Sequence, residues 1–463
     1  MVKTRFAPSP TGYIHVGNVR TALYTYLVAR KNKGKFILRI EDTDQSRLVE
    51  GAEELILNTL KWLGLEWDGE IARQTSRKDV YLKYANRLIE YGLAYTDPYS
   101  KEQVEKFREQ ARADKKPFLY RDYRPESPPK WRLGAPLRFR VPKLKRYSWN
   151  DAVMGELSAG KEALDDFVLI KADGLPTYNF AHIVDDYEMG ITHVIRGAEY
   201  ISSTPKYLSL YEALEIEPPV LAHVPHILAP TGNKKLGKRD GAKSIAEYRN
   251  EGYLPEAMLN FLAQLGWNDG TEQEIFSKNE LIQKFSLDRV QKSGARFDEK
   301  RLVWLNGQWI RSLNLDDLYQ RCESFWESGD EIYKKKVLAL VQDRLKTLSD
   351  LPALTSYFFE EPEIDMKLIT ENKQLKRLTN NELKHLLRAS ESALGRLDEW
   401  TSENIQSCLN SLLEELKTKP SVLFSLVRVA TTWAPFSPQL NETLALVGKK
   451  RTLSRLRRLL DSL

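Results

Sequence analysis

A short apolar run, Val2 to Ala7, ends at Pro8 and Pro10, residues that interrupt both strand pairing and helix, so the pattern predicts a strand followed by a loop. Apolar spacing resumes with Val19, Ala22, Leu23, Tyr26 and Leu27. That is one stripe of a helix, which Asn18 is placed to cap and Gly34 to end. Lys35–Ile40 (KFILRI) reads as a second strand closing on Glu41, Asp42 and Asp44, and Ala52–Leu63 returns to helical period. Strand, helix, strand, helix implies an α/β start with a parallel sheet, whose ligands bind beyond the carboxyl ends of the strands. The sheet lacks G-x-G-x-x-G, which argues against a dinucleotide cofactor.

The pattern then changes. Between about Tyr81 and Tyr178 come a polar helix, a Lys-, Arg- and Pro-rich connector (Lys115–Arg132) and alternating strands such as Pro136–Val141 and Phe167–Ile170. Strand and helix alternate again through His193–Ile195, Lys206–Leu214 and Pro225–Leu228, so the first domain is expected to be split by an insertion. Short helices and loops with several tryptophans follow from Ala242 to about Arg311, and beyond Leu313 the periodicity is almost wholly helical. The expected partition is 1–80 and 179–241 for the split α/β domain, 81–178 for the insertion, 242–312 for a linking region, and 313–463 for an all-α region.

Composition narrows the function classes. The chain has 463 residues and 42% hydrophobic content, enough for several domain cores. Its 70 basic and 64 acidic residues leave a net charge of +6, which permits an RNA partner without requiring one. Two distant cysteines, Cys322 and Cys408, argue for a reducing compartment and against a disulfide framework or zinc site. No apolar run approaches the ~18 residues of a membrane span, and the N-terminus lacks a signal-peptide core, so a cytosolic location is expected.

His15 and Gly17 fall at the predicted helix N-terminus, where free N–H groups and the helix dipole favour an anion and a glycine admits a flat ring; a nucleotide suits that place. The loop Thr231–Ala242 (TGNKKLGKRDGA) fits G-x-x-x-x-G-K from Gly232 to Lys238, but Arg239 follows where a P-loop needs a hydroxyl. Two readings remain for it: a cationic loop closing on phosphates, or a solvated basic loop. Arg5, Glu41, Tyr178 and Arg196, each near a strand end, suit a small substrate bearing carboxylates and an ammonium, since arginine grips a carboxylate with paired hydrogen bonds. Asp44 suits a helix cap, and Asp185 and Asp186 suit either caps or Mg²⁺ contacts.

RFAPSPTGYIHVGNVRTAL, LRIEDTD, PTYNFAHIVDD, ITHVIRGAEYISSTPK and KKLGKRDGA followed by GYLPEAMLNFLAQLGW together resemble bacterial-type glutamyl-tRNA synthetases over essentially the whole chain. That family is class I, and HVGN at 15–18 and KLGKR at 235–239 match its two nucleotide signatures. The resemblance implies that ATP, with Mg²⁺, and L-glutamate give glutamyl-adenylate and pyrophosphate, after which the 2′-hydroxyl of the terminal adenosine of tRNA(Glu) takes the glutamyl group; tRNA(Gln) stays open as a second acceptor. It implies a split Rossmann-like catalytic domain, an inserted acceptor-binding domain, a stem-contact region and a helical anticodon-binding region in a monomer. By the same match His15, Asn18, Lys235 and Lys238 are catalytic. Arg5, Ala7, Ser9, Glu41, Tyr178, His182 and Arg196 bind glutamate. Pro8, Thr11, Gly12, His15, Gly17, Glu199, Tyr200, Leu236 and Lys238 bind ATP, and Arg344 contacts an anticodon base.

Departures accompany the match. Asn18 replaces a histidine or small residue of the first signature, and Gly237 a serine of the second, a loss worth on the order of 1 kcal/mol. His182 stands where many relatives carry asparagine and is expected to bring a pH dependence near neutrality. Zinc, held by cysteines in the inserted domain of some relatives, is not expected, because Ala94–Arg124 offers Asp97, Tyr99 and Tyr123 and no cysteine. Glutaminyl-tRNA synthetases carry E-P-N-G where this chain has APSPTG and end in β-barrels; a shortened base-modifying paralogue lacks residues 313–463. A non-catalytic tRNA-binding paralogue would leave the glutamate pocket without purpose. Arg451, Arg455, Arg457 and Arg458 in the tail suit either RNA contact or solvation of the last helix.

Overall fold

In the computed structural model the described residues are 1–463 apart from Tyr13, 238–242, 327–328 and Pro435. The chain opens with β1 (Lys3–Phe6), α1 (Val16–Lys31), β2 (Lys35–Ile40), α2 (Ala52–Trp62), β3 (Ala72–Arg73), α3 (Lys78–Glu90) and β4 (Ala94–Thr96). It continues through α4 (Lys101–Ala113), β5 (Leu137–Phe139), β6 (Tyr147–Asp151), β7 (Gly155–Ala159), β8 (Val168–Ile170), α5 (Tyr178–Glu188) and β9 (His193–Gly197). Then come α6 (Thr204–Ala213), β10 (Val220–Val224), β11 (Ile227–Leu228), α7 (Ile245–Asn250), α8 (Pro255–Gln264), α9 (Lys278–Lys284) and β12 (Ala295–Arg296).

The main sheet runs β3, β2, β1, β9, β10, β6, β7, parallel throughout except for the β6–β7 hairpin. That hairpin lies inside the stretch 81–178 yet extends the main sheet, whereas β4, β5 and β8 form a separate antiparallel sheet. One apolar core, with Tyr81, Phe139, Leu169, Phe180 and Tyr211 among its members, joins α3, the small sheet, α5 and α6. The chain steps from β1 to β2 on one side and takes its later strands β9 and β10 on the other, so the carboxyl ends of β1 and β9 flank a topological switch point.

α1 begins three residues before the expected start, with His15 and not Asn18 as its N-cap: the His15 ring nitrogen accepts from the Gly17 N–H at 3.0 Å. Asn18 sits at the third helical position and its side-chain oxygen reaches back to the His15 N–H at 3.5 Å, the reciprocal half of a capping box. The helix ends at Asn32, and every residue from Ala22 to Ala29 is buried, so no single stripe faces inward. A helix apolar nearly all round belongs in an interior, and α1 packs on β1 and β2 as well as on α8 and α9. Gly34 follows it for a steric reason, since a Cβ there would lie 2.1 Å from the Val2 carbonyl oxygen.

Two compact units divide the chain, Met1–Asn250 with Pro255–Leu302 and Glu251–Leu254 with Val303–Leu463. Residues 242–312 are therefore shared between them, most going with the α/β unit. The second unit is helical from Leu315–Arg321 to Lys449–Ser462, around a core that includes Leu387, Leu409, Leu426 and Leu459. Its tail arginines are occupied. Arg455 is fully buried against Glu361 (3.1 Å) and the Thr431 and Glu360 carbonyls, Arg451 bonds to the Phe358 carbonyl and Tyr333, Arg458 to Glu361 and Arg457 to Glu391. These bonds hold the last helix down.

Candidate active site

A cleft of about 410 Å³ opens at the switch point. Ala7, Pro8, Ser9, Thr11 and Gly12, in the loop after β1, line one wall, with His15, Gly17 and Asn18 at the start of α1. Arg5, Glu41, Tyr178 and Arg196 line the inner end, and Glu199, Tyr200, Lys235 and Leu236 the outer one. The loop is pinned to the sheet end, with the Glu41 N–H donating to the Pro8 carbonyl at 3.0 Å.

The inner end rests on a buried ionic knot. Arg5 Nε donates to Asp186 Oδ1 at 3.0 Å; Arg39, from β2, reaches the same oxygen at 2.8 Å and Glu41 at 3.2 Å. Asp185 beside it takes Arg77 at 2.7 Å, Tyr81 at 2.8 Å and Gln74 at 2.9 Å. Both aspartates are fully buried within α5, so neither is a cap; Asp186 Oδ1 and Asp185 Oδ1 take the arginines, while Asp186 Oδ2 has no hydrogen-bond partner among the described residues. Burial alone would raise the Asp186 carboxyl; Arg5 and Arg39 outweigh it and hold the group at about 2. For Glu41 the balance reverses, and burial pushes it up to about 7 against the pull of Arg39 and Arg5.

His182 lies behind the cleft wall, buried, with its ring stacked on Tyr178 at 4.7 Å between centroids. Its Nδ1 is 2.7 Å from the Tyr178 carbonyl, an acceptor, so that nitrogen carries the proton and Nε2 faces Arg196 Nη1 at 3.5 Å. Burial, then the Arg196 charge, drive His182 down to about 3. It is neutral at physiological pH, which removes the expected titration near neutrality. Arg196 also lies against the rings of Tyr200 (5.1 Å) and Tyr207 (5.0 Å), and among the described residues no carboxylate comes within ion-pairing distance of it. A buried guanidinium without a counter-ion invites an anion.

The outer end is open. His15 is exposed at the helix start, and a Cβ on Gly17 would sit 2.9 Å from its ring, so the glycine makes room for the imidazole as well as for a ligand. Lys235 is half-exposed and reaches Glu199 at 3.7 Å, while the Leu236 N–H donates to the Ile227 carbonyl at 2.8 Å. Arg296 braces the same loop by donating to the Gly232 carbonyl and Asn233. Lys238 lies outside the described residues, as do Arg239 and Gly241.

Several residues escaped the sequence reading. Arg39 is the clearest, and its signal is a charge flanked by apolar residues, unlike Lys35 at the exposed start of the same strand. Arg20 is another: buried in α1, it bonds to the Pro225 and Leu265 carbonyls and borders the cleft. In the inserted domain Asp97 accepts from Tyr120, Arg138 and the Tyr99 N–H, and among the described residues no group of three or more His, Cys, Asp or Glu side chains is arranged to hold a metal. In the helical unit Arg344 is exposed at the end of the turn Gln342–Arg344, and burial followed by the Arg344 charge lowers Arg428.

Residues 1–304 match the family described as tRNA synthetases class I (E and Q), catalytic domain, and residues 317–460 an anticodon binding domain. A glutamate–tRNA ligase of Clostridium botulinum is 42% identical over 480 aligned positions, covering 100% of this chain and 98% of the relative. Glutamate–tRNA ligase 1 of Caldanaerobacter subterraneus is 39% identical over 99% and 97% of the two chains. A crystal structure of a glutamate tRNA ligase from Elizabethkingia meningosepticum in complex with its amino acid superposes with a TM-score of 0.88 at 32% identity, covering 100% and 99%. Full-length identity at this level, joined to the order and spacing of the cleft residues, means that the chain belongs to the glutamate–tRNA ligase family of class I tRNA synthetases.

Proposed function

We propose that the chain activates L-glutamate with ATP, taken as its Mg²⁺ complex, and loads it onto tRNA(Glu). A carboxylate oxygen of the α-carboxyl attacks the α-phosphorus, the bond to the bridging oxygen breaks, and pyrophosphate leaves with the electron pair. The 2′-hydroxyl of the terminal adenosine then displaces AMP. Arg196 grips the side-chain carboxylate, Glu41 as carboxylate takes the ammonium, and Arg5, steadied by Asp186, adds positive charge beside the acid groups. His15, Gly17 and Lys235, with Lys238, meet the phosphates where charge builds on pyrophosphate. Catalysis rests on positioning and charge, with no protein nucleophile.

The observation that carries this reading is Arg196, a buried cation without an acidic partner among the described residues, set in a cleft that ends at a helix N-terminus. In the same reading residues 81–178 meet the acceptor end, 242–312 the stem, and the helical region the anticodon, with Arg344 at one base, in a cytosolic monomer. Glutamate charging of purified tRNA(Glu) and, separately, tRNA(Gln) tests it, with Arg196→Ala as control. Charging of tRNA(Glu) that falls by about 100-fold or more in the control is expected. A folded protein that binds ATP and charges neither tRNA would overturn the reading, and charging of both would add the indirect route to glutaminyl-tRNA.

A further inference from the structure

Arg196 is held by a second histidine that no sequence motif marks. On the parallel pair β9–β10, His223 lies directly opposite Arg196, and Arg196 Nε donates to His223 Nε2 at 3.0 Å. On its far side His223 Nδ1 is 2.6 Å from Asp151 Oδ2, at the end of β6. The other oxygen, Asp151 Oδ1, accepts from the backbone N–H groups of His223 (3.1 Å), Val153 (3.0 Å) and Met154 (3.0 Å). Both His223 and Asp151 are buried.

These bonds fix the proton. An ionised Asp151 only accepts, so His223 Nδ1 carries the hydrogen and Nε2 presents a lone pair to the guanidinium. Burial lowers the imidazole below its ordinary value, which keeps it neutral and able to accept. With Nε tied to His223 and Nη1 turned toward His182, the remaining Nη2 has no hydrogen-bond partner among the described residues, while Arg196 borders the cleft. We propose that Asp151 and His223 are positioning residues: Asp151 sets the His223 tautomer, and that tautomer aims the Arg196 guanidinium at the side-chain carboxylate of glutamate. The inference rests on Arg196 being the carboxylate receptor.

Asp151→Asn separates this role from a structural one. The amide oxygen can keep the three backbone N–H groups, while its NH₂ faces Nδ1, forces the proton to Nε2, and sets N–H against N–H at Arg196. In glutamate-dependent ATP–pyrophosphate exchange with tRNA present, the variant is expected to raise KM for glutamate about tenfold or more and to leave KM for ATP within about twofold. His223→Gln offers an oxygen to Arg196 whatever residue 151 does, so it is expected to raise the glutamate KM less than His223→Phe, and Asp151→Asn added to it should cost little more. An unchanged glutamate KM in Asp151→Asn, a parallel rise in both KM values, or a full further loss in the double variant would overturn the inference. If Asp151→Asn fails to fold, equal losses in His223→Gln and His223→Phe would do so. Absence of glutamate-dependent exchange in the unaltered protein is a different result, which removes the functional reading and this inference with it.

Discussion

At its inner end the cleft rests, Arg196 apart, on charges that have already found one another. Arg5, Arg39 and Asp186 are at most 4% exposed and bonded before any substrate arrives. At its outer end Lys235 and Glu199 are about half-exposed and sit 3.7 Å apart. The difference follows from what each end must do. A small zwitterion is recognised by groups whose positions are fixed in advance, because reorganising buried charge after binding would use up the binding energy. Phosphates arrive with their own charge and metal ion, and a lysine kept in water can follow charge as it moves from one oxygen to the next.

Parallel substitutions at the two ends break this contrast if it is wrong. Asp186→Asn leaves two buried guanidinium groups facing a neutral amide and is expected to cost about 3–5 kcal/mol in denaturant unfolding. Glu199→Gln, between half-exposed partners, is expected to cost under about 1 kcal/mol. The sign with pH follows. The Asp186 carboxyl is held at about 2, against about 3.9 in an unfolded chain, so its contribution is complete above pH ~4 and is lost as pH falls toward 2. Acid unfolding of Asp186→Asn should lack that component.

Lys235→Ala tests the outer end in kinetics. It is expected to lower kcat for adenylate formation about 10–100-fold with little change in KM for glutamate, measured by pyrophosphate exchange; a rise in glutamate KM instead would join the two ends functionally. Glu41 sharpens the inner end, because the ammonium needs its ionised form. KM for glutamate is expected to fall about tenfold per pH unit toward 7, where the group titrates, and to level off above it. Glu41→Gln should flatten that profile. The smallest effect is at the loop: Gly237→Ser, which adds a hydroxyl toward phosphate, is expected to raise kcat by no more than about fivefold.

Much of the fold was legible because strands and helices announce themselves by period. Lys35–Ile40 appears as read, and two of the three small-sheet strands, β5 and β8, fall inside the stretches expected for them, while β4 has no counterpart in the sequence pattern. Legibility failed where a residue's meaning depends on a partner far along the chain. Asp185 and Asp186 look like caps or metal contacts until Arg39 and Arg77 are seen beside them. His182 reads as a titrating residue until its burial against Arg196 is known, and His223 carries no local signal because its value comes from a neighbour across the sheet. Asn18 is not the cap its position suggests for a simpler reason: histidine is an uncommon cap, and with it the helix starts three residues earlier. The cleft residues themselves were found because their types, in order, match a known chemistry.

The order of strands has a consequence for how the protein is made. Arg5 lies 181 positions before Asp186, so at ribosomal speed its partner follows on the order of 10–40 s later. During that interval β1 can pair with β2 but not with β9, and Arg5 lacks the carboxylate that later buries it. Translation that stops before Asp186 therefore releases a chain with an unmatched sheet edge and an incomplete inner end of the cleft.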